Sequence, residues 1–269
     1  MGVDILSALF NWVYEIIRYG SAIAGVVIGI LIAVSKTKST RPLGISYMLS
    51  ALNSLTGFIF SSLMHFLSVK EIYGFQYTRT IITFALSLAT TYFICRFIHK
   101  NYGKKFIYIP MFLLPVLTLV LTFLSNRIFS RHKTWGDSTP YLVNLGNLAV
   151  SLLITTISTV IIVVILFKYR KSEKVVPYLW LLRILFLIWT YFNYAFTSTT
   201  VVIDMVNTDV PKRDLAPFVS FWMDNYSSTS NFLAIISSLI SLIVPLYVLI
   251  NARSCAKMQQ TAIQNAEMQ

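Results

Sequence analysis

Charge is scarce in this chain. Of its 269 residues only 12% are Asp, Glu, Lys or Arg, about half the share usual in a soluble domain. Lipid rather than water is therefore expected to be the main solvent. Acid is scarcest, with 10 Asp and Glu against 22 Lys and Arg. Cysteine is limited to Cys95 and Cys255, which excludes a disulfide scaffold. The opening MGVDILSALFNW has no basic residue before Arg18, so a cleaved signal peptide is not expected. Leu6 stands where a myristoylation signal requires Ser or Thr, and that anchor is not expected either. The three histidines, His65, His99 and His132, are scattered, with no His-Glu-x-x-His spacing, no zinc ligand set and no glycine-rich phosphate loop. Membrane hydrolysis or group transfer needs a positioned nucleophile, metal or acid–base pair, so no enzymatic activity, catalytic residue, metal or cofactor is expected.

Apolar sequence is abundant. Hydrophobic residues make up 56% of the chain and the mean hydropathy is +0.70. Apolar runs fall near 12–35, 43–67, 77–98, 106–126, 141–168, 177–203 and 218–250. A segment in hydrocarbon must satisfy its own backbone, and runs this long without period-two alternation are helices. The expected fold is all-α: a polytopic membrane protein built as a seven-transmembrane helix bundle over 12–250, with a tail at 251–269. Residues 1–18 form an amphipathic N-terminal segment, in which Asp4, Ser7, Asn11, Glu15 and Arg18 recur at helical spacing opposite Ile5, Leu6, Leu9, Val13 and Ile16. This segment either lies in the outer interface or turns a polar stripe towards a ligand cavity.

Seven spans put the termini on opposite sides. With the N-terminus outside, 14 of the 22 Lys and Arg fall inside: Lys36, Lys38, Arg41, Arg96, Lys100, Lys104, Lys105, Lys168, Arg170, Lys171, Lys174, Arg183, Arg253 and Lys257. The positive-inside rule then places the C-terminus in the cytoplasm. The net charge of +12 is explained by these basic loops, and no nucleic-acid partner is expected. The expected location is multi-pass in the cell membrane.

No Asp, Glu or Lys lies in the middle of any span. The last span thus offers no lysine for a retinal Schiff base, and proton-relay pumping lacks its carboxylates. What the spans do carry is hydroxyls and amides, among them Asn53, Thr83, Thr91, Asn147, Thr155 and Asn193. Such groups either hydrogen-bond one helix to another or face a ligand. Spans six and seven concentrate Ser and Thr at the outer end, near Asp204, Asp209, Asp214 and Asp224, with Arg79, Trp222 and Tyr226 on the same side. That set is either a solvated rim or a small-ligand pocket, with Arg79, Asn193, Asp204, Trp222 and Asp224 as its candidate residues. Asn225-Tyr226-Ser227 fits a glycosylation sequon, expected to go unused so close to the membrane. Arg183 lies about two turns into span six; it either snorkels to the inner interface or meets an internal partner that breaks when the helix moves.

IAVSKTKSTRPLGISYMLSALNSLTG, Arg96 in ICRFIHK, Trp189 in LIWTYF, and Pro245 with Tyr247 in LIVPLYVLI together resemble the plan of rhodopsin-like receptors. The resemblance implies a non-enzymatic receptor or sensor with Arg96, Pro245 and Tyr247 in coupling roles, and Arg183, from its place inside span six, is the fourth coupling candidate. It departs from that family where Cys95 replaces the acid before the arginine, no proline follows Trp189 and no Asn precedes Pro245. Lys36-Thr37-Lys38-Ser39 to Pro42 and Lys171-Ser172-Glu173-Lys174 to Pro177 resemble, in their offset, the three-plus-one-plus-three plan of PQ-loop carriers, although the Pro-Gln dipeptide is missing. The leading expectation is a seven-helix receptor that binds a small molecule from outside and signals through basic loops to a cytoplasmic partner. The alternative is a small-solute transporter with a midplane site at Asn53, Asn147 and Asn193. A scaffold subunit with a fixed partner is the third reading.

Overall fold

The computed structural model describes residues 2–35, 39–63, 69–131, 139–168, 178–209 and 231–252. Among them every regular element is helical: α1 (Gly2–Ala33), α2 (Arg41–Leu63), α3 (Val69–Tyr102), α4 (Tyr108–Arg131), α5 (Thr139–Lys168), α6 (Leu179–Asp209) and α7 (Asn231–Ala252). A 3-10 turn, Lys105–Ile107, leads into α4. Each expected span overlaps one helix, although residues 218–230 of the last lie outside the described residues.

Among the described residues six helices are long and apolar enough to cross a membrane: Trp12–Ala33, Arg41–Phe60, Thr78–Tyr102, Leu148–Lys168, Leu179–Phe196 and Asn231–Ala252. The chain is thus a multi-pass membrane protein. In α4 the apolar stretch that can be described is shorter, Lys105–Leu121, below the roughly 20 residues a crossing takes. The amphipathic first segment runs into α1 without a break, giving one helix of 32 residues, about 48 Å long at 1.5 Å per residue.

The turns at the basic end of the bundle have clear local causes. Thr40, fully buried, precedes α2 and its carbonyl accepts the Gly44 N–H at 3.0 Å, as expected of an N-cap residue. Gly103 closes α3 in the left-handed region at φ 67°. Its N–H returns to the His99 carbonyl at 2.8 Å, a helix stop that a side chain at this position would strain.

Successive helices are neighbours from α1 to α6, and Trp189 of α6 bonds to Ser237 of α7. The α1–α2 pair is the closest. A methyl added at Gly29 would lie 2.5 Å from the Met48 backbone nitrogen, and one at Gly44 would lie 2.5 Å from that of Ala33. Backbone thus touches backbone, which only glycine permits, and such small-residue seams are how helices associate in lipid. A methyl at Gly25 would meet Ala51 at 2.9 Å and Leu242 of α7 at 3.7 Å, so α7 returns to α1 and closes the circuit.

The buried core lies at the basic end and draws on all seven helices. It contains Ile28 and Ile32, Leu43, Cys95 with Phe97 and Ile98, Met111 and Leu114, Ile162 with Leu166, Leu179, and Val244 with Val248. Large apolar side chains such as Ile81, Leu153, Ile188 and Ile250 are more than half exposed and form the face presented to lipid.

Candidate functional site

Polar groups sit inside this apolar frame at three levels. At the basic end, Arg183 lies little more than one turn into α6 and faces Tyr47 of α2. Arg183 is the one charge acting on the Tyr47 hydroxyl among the described residues. The two are close enough to attract, yet the hydroxyl and the Arg183 Nε are both buried and neither has a partner in hydrogen-bond geometry. The Arg183 side chain as a whole is half-buried, and a cation in a membrane segment that leaves a buried donor without a partner is costly. The Arg183 Nε itself is buried among the helices.

One level further from the basic end, Ser237 joins α6 to α7. Its hydroxyl accepts from the Trp189 Nε1 at 3.0 Å and from the Asn193 Nδ2 at 3.0 Å. The two donors are one turn apart on α6, so a single hydroxyl meets both. Thr156 of α5 and Tyr191 of α6 share a hydrogen bond of 2.9 Å. An apolar groove of about 470 Å³ runs along α6 and α7, with Leu185, Ile188, Trp189 and Ile243 among its lining. Several of these side chains are exposed, so the groove opens on the face presented to lipid.

At the end away from the basic loops, Arg18 of α1 lies 4.1 Å above the Phe58 ring of α2 and pairs with Glu15 at 3.3 Å. Tyr19 and Ser62 share a hydrogen bond of 2.7 Å. The guanidinium of Arg79 on α3 would lie 3.9 Å from a methyl placed at Gly57, one helical turn beyond Asn53. The Asn53 Oδ1 is buried with no hydrogen-bond partner, as is the second carboxylate oxygen of Glu15.

The expected ligand residues are only partly placed. Arg79 rests against α2, whereas the Asn193 amide is engaged with α7, and no hydrogen bond joins the two. Asp204 belongs to α6, but its side chain lies outside the described residues, as do Trp222, Asp224 and the side chain of Asn147. Among the coupling candidates, Arg96 is exposed, Pro245 is buried, and Tyr247 packs against the core while its carbonyl accepts from the Asn251 amide at 2.9 Å. The α7 helix continues through Pro245, which leaves the turn before it one backbone donor short. Among the described residues no three His, Cys, Asp or Glu come together as a metal site.

Tyr47, Ser237 and the glycine seam were not singled out by sequence reasoning. The seam had a readable signal in the Gly25-x-x-x-Gly29 spacing. Tyr47 and Ser237 had none, because their partners lie on helices distant in the chain. Comparison with protein-family models, curated proteins and solved structures finds no match.

Proposed function

We propose that this chain is a non-enzymatic seven-helix receptor or sensor of the cell membrane. Its N-terminus is outside, it takes a small ligand at the outer end, and it reports through its basic cytoplasmic face to a signalling partner. The observation that carries this reading is the half-buried Arg183 facing Tyr47, with its buried Nε and the Tyr47 hydroxyl both outside full hydrogen-bond geometry. A charge left short of partners in one helix arrangement is relieved in another, which makes α6 a two-state element. The same helix carries Asn193 and Asp204 towards the outer end. A ligand that binds there favours one placement of α6, and only a difference in affinity between the two placements shifts the equilibrium.

Arg183→Met tests the two-state element. Replacing a buried ionic group by an apolar one of similar volume is often stabilising by about 1 kcal/mol or more. The variant is expected to melt higher than the parent and to lose the ligand-induced thermal shift found by screening small metabolites on the purified protein. A melting point lowered by the substitution, with the ligand shift retained, refutes the role given to Arg183. A shift unaltered by both Arg79→Ala and Asp224→Ala refutes the outer pocket.

A second reading, a small-solute carrier, draws on the Asn53 Oδ1, buried in α2 without a hydrogen-bond partner. Saturable solute flux into reconstituted vesicles, abolished by Asn193→Leu, would favour transport over reception.

A further inference from the structure

Between α2 and α3 at the basic end, Arg41, Pro42, Ile45, Phe93, Arg96 and Lys100 line one groove of about 360 Å³. The residues follow helical spacing on each wall, with 41, 42 and 45 on α2 and 93, 96 and 100 on α3. Their heights differ in a consistent way. Arg41 opens α2, and Ile45 lies one turn deeper; Lys100 lies near the end of α3, with Phe93 about 10 Å deeper at 1.5 Å per residue. The three cations are exposed, Arg41 and Lys100 near the helix ends and Arg96 one turn deeper, while Pro42 is buried and Ile45 and Phe93 are half-buried. The groove is thus an amphipathic slot, cationic where the helices end and apolar below.

The stretch of chain that builds this mouth carries no acid. The sequence has no acidic residue between Glu15 and Glu71, nor between Glu71 and Asp137, so neither α2 nor the basic half of α3 carries one. Among the described residues the Arg41 and Arg96 guanidiniums form no ion pair. The groove also stands where the crossing segments Arg41–Phe60 and Thr78–Tyr102 reach their ends, the level of lipid headgroups.

We infer that this groove binds the headgroup of an anionic phospholipid, with its phosphate among Arg41, Arg96 and Lys100 and its glycerol and upper acyl carbons on Pro42, Ile45 and Phe93. Basic pockets between membrane helices suit such headgroups. A zwitterionic headgroup would add its own cation to three already present, so the slot discriminates by charge. The bound lipid bridges α2 to α3 beside the buried core, independently of any ligand at the opposite end.

The test titrates the full-length protein in phosphatidylcholine micelles with short-chain phosphatidylglycerol, and reads the dissociation constant from the thermal midpoint. Each basic residue near a membrane surface contributes about a fivefold factor in affinity. Arg41→Gln, Arg96→Gln and Lys100→Gln are each expected to weaken binding about fivefold, and the triple variant on the order of a hundredfold. Lys168→Gln, at the same end but outside the groove, should stay within about twofold. If the triple variant fails to fold, the three single variants carry the same test. Phosphatidylglycerol binding unchanged in the groove variants overturns the assignment. So does inorganic phosphate binding as tightly as the lipid, which would make the slot a site for soluble anions.

Discussion

Gly29→Ala tests the packing argument where it is sharpest. The added methyl would stand 2.5 Å from the Met48 backbone nitrogen and 2.8 Å from its Cα, whereas carbon contacts are comfortable at about 3.5–4.0 Å. The obstacle is backbone, so no rotamer change relieves it, and α1 and α2 must separate by about 1 Å. A radial gap of that size forfeits a quarter to a half of the dispersion attraction along the seam. In lipid that attraction is most of what holds the pair, because tails are as apolar as the helices. Overpacking costs about 1–3 kcal/mol in general, and a backbone clash belongs at the upper end. The midpoint of thermal unfolding in mild detergent should therefore fall by roughly 5 °C or more. Gly20→Ala is the control, since nothing lies within 4 Å of the methyl it adds, and it should change stability by no more than about 0.5 kcal/mol. Gly29→Ala combined with Gly44→Ala should cost less than the sum of the two, because both force open the same seam. The reasoning fails if Gly29→Ala melts with the parent, or if Gly20→Ala falls as far.

Two further outcomes follow from named contacts. Ser237→Ala removes the shared acceptor of Trp189 and Asn193 and should destabilise by about 0.6 kcal/mol, up to about 1.7; a melting point above that of the parent would show that the bonds do not hold α6 to α7. Cys95 is fully buried, its thiol directed at the Ile107 carbonyl at 3.9 Å. In a Cys255→Ser background a maleimide should therefore label the folded protein negligibly and the denatured protein fully, and rapid labelling of the folded form would contradict the packing of α3 on α4.

Helix positions were legible in the sequence because a membrane segment announces itself through local composition, and each apolar run overlaps one helix. The contacts that give the bundle its character are not local. Arg183 stood out as a cation inside a span, but Tyr47 lies more than a hundred positions earlier, and only the fold brings α2 to α6. Ser237 is one hydroxyl among many on α7, distinguished solely by facing two donors. Asn193 was legible as a polar residue but not as a structural one, since an amide in a span reads alike whether it meets a ligand or a neighbouring helix. Arg41 and Lys100 were read only as a topological signal, and Arg96 as that and as a coupling residue; their convergence on one groove depends on the rotation of α2 and α3, which charge counting ignores.

The glycine seam also bears on the order in which the bundle assembles. Gly29 meets Met48 only 19 positions later, so the contact closes a short loop, and such contacts form early and at small entropic cost. The α1–α2 pair can lock backbone to backbone while the helices that follow it are still to be made. Leu242 comes far later in the chain than Met48, so its contact with Gly25 forms after that seam. The α1–α2 hairpin is thus a template for the later helices, and α7 is the closing piece of a circuit whose first edge is already set.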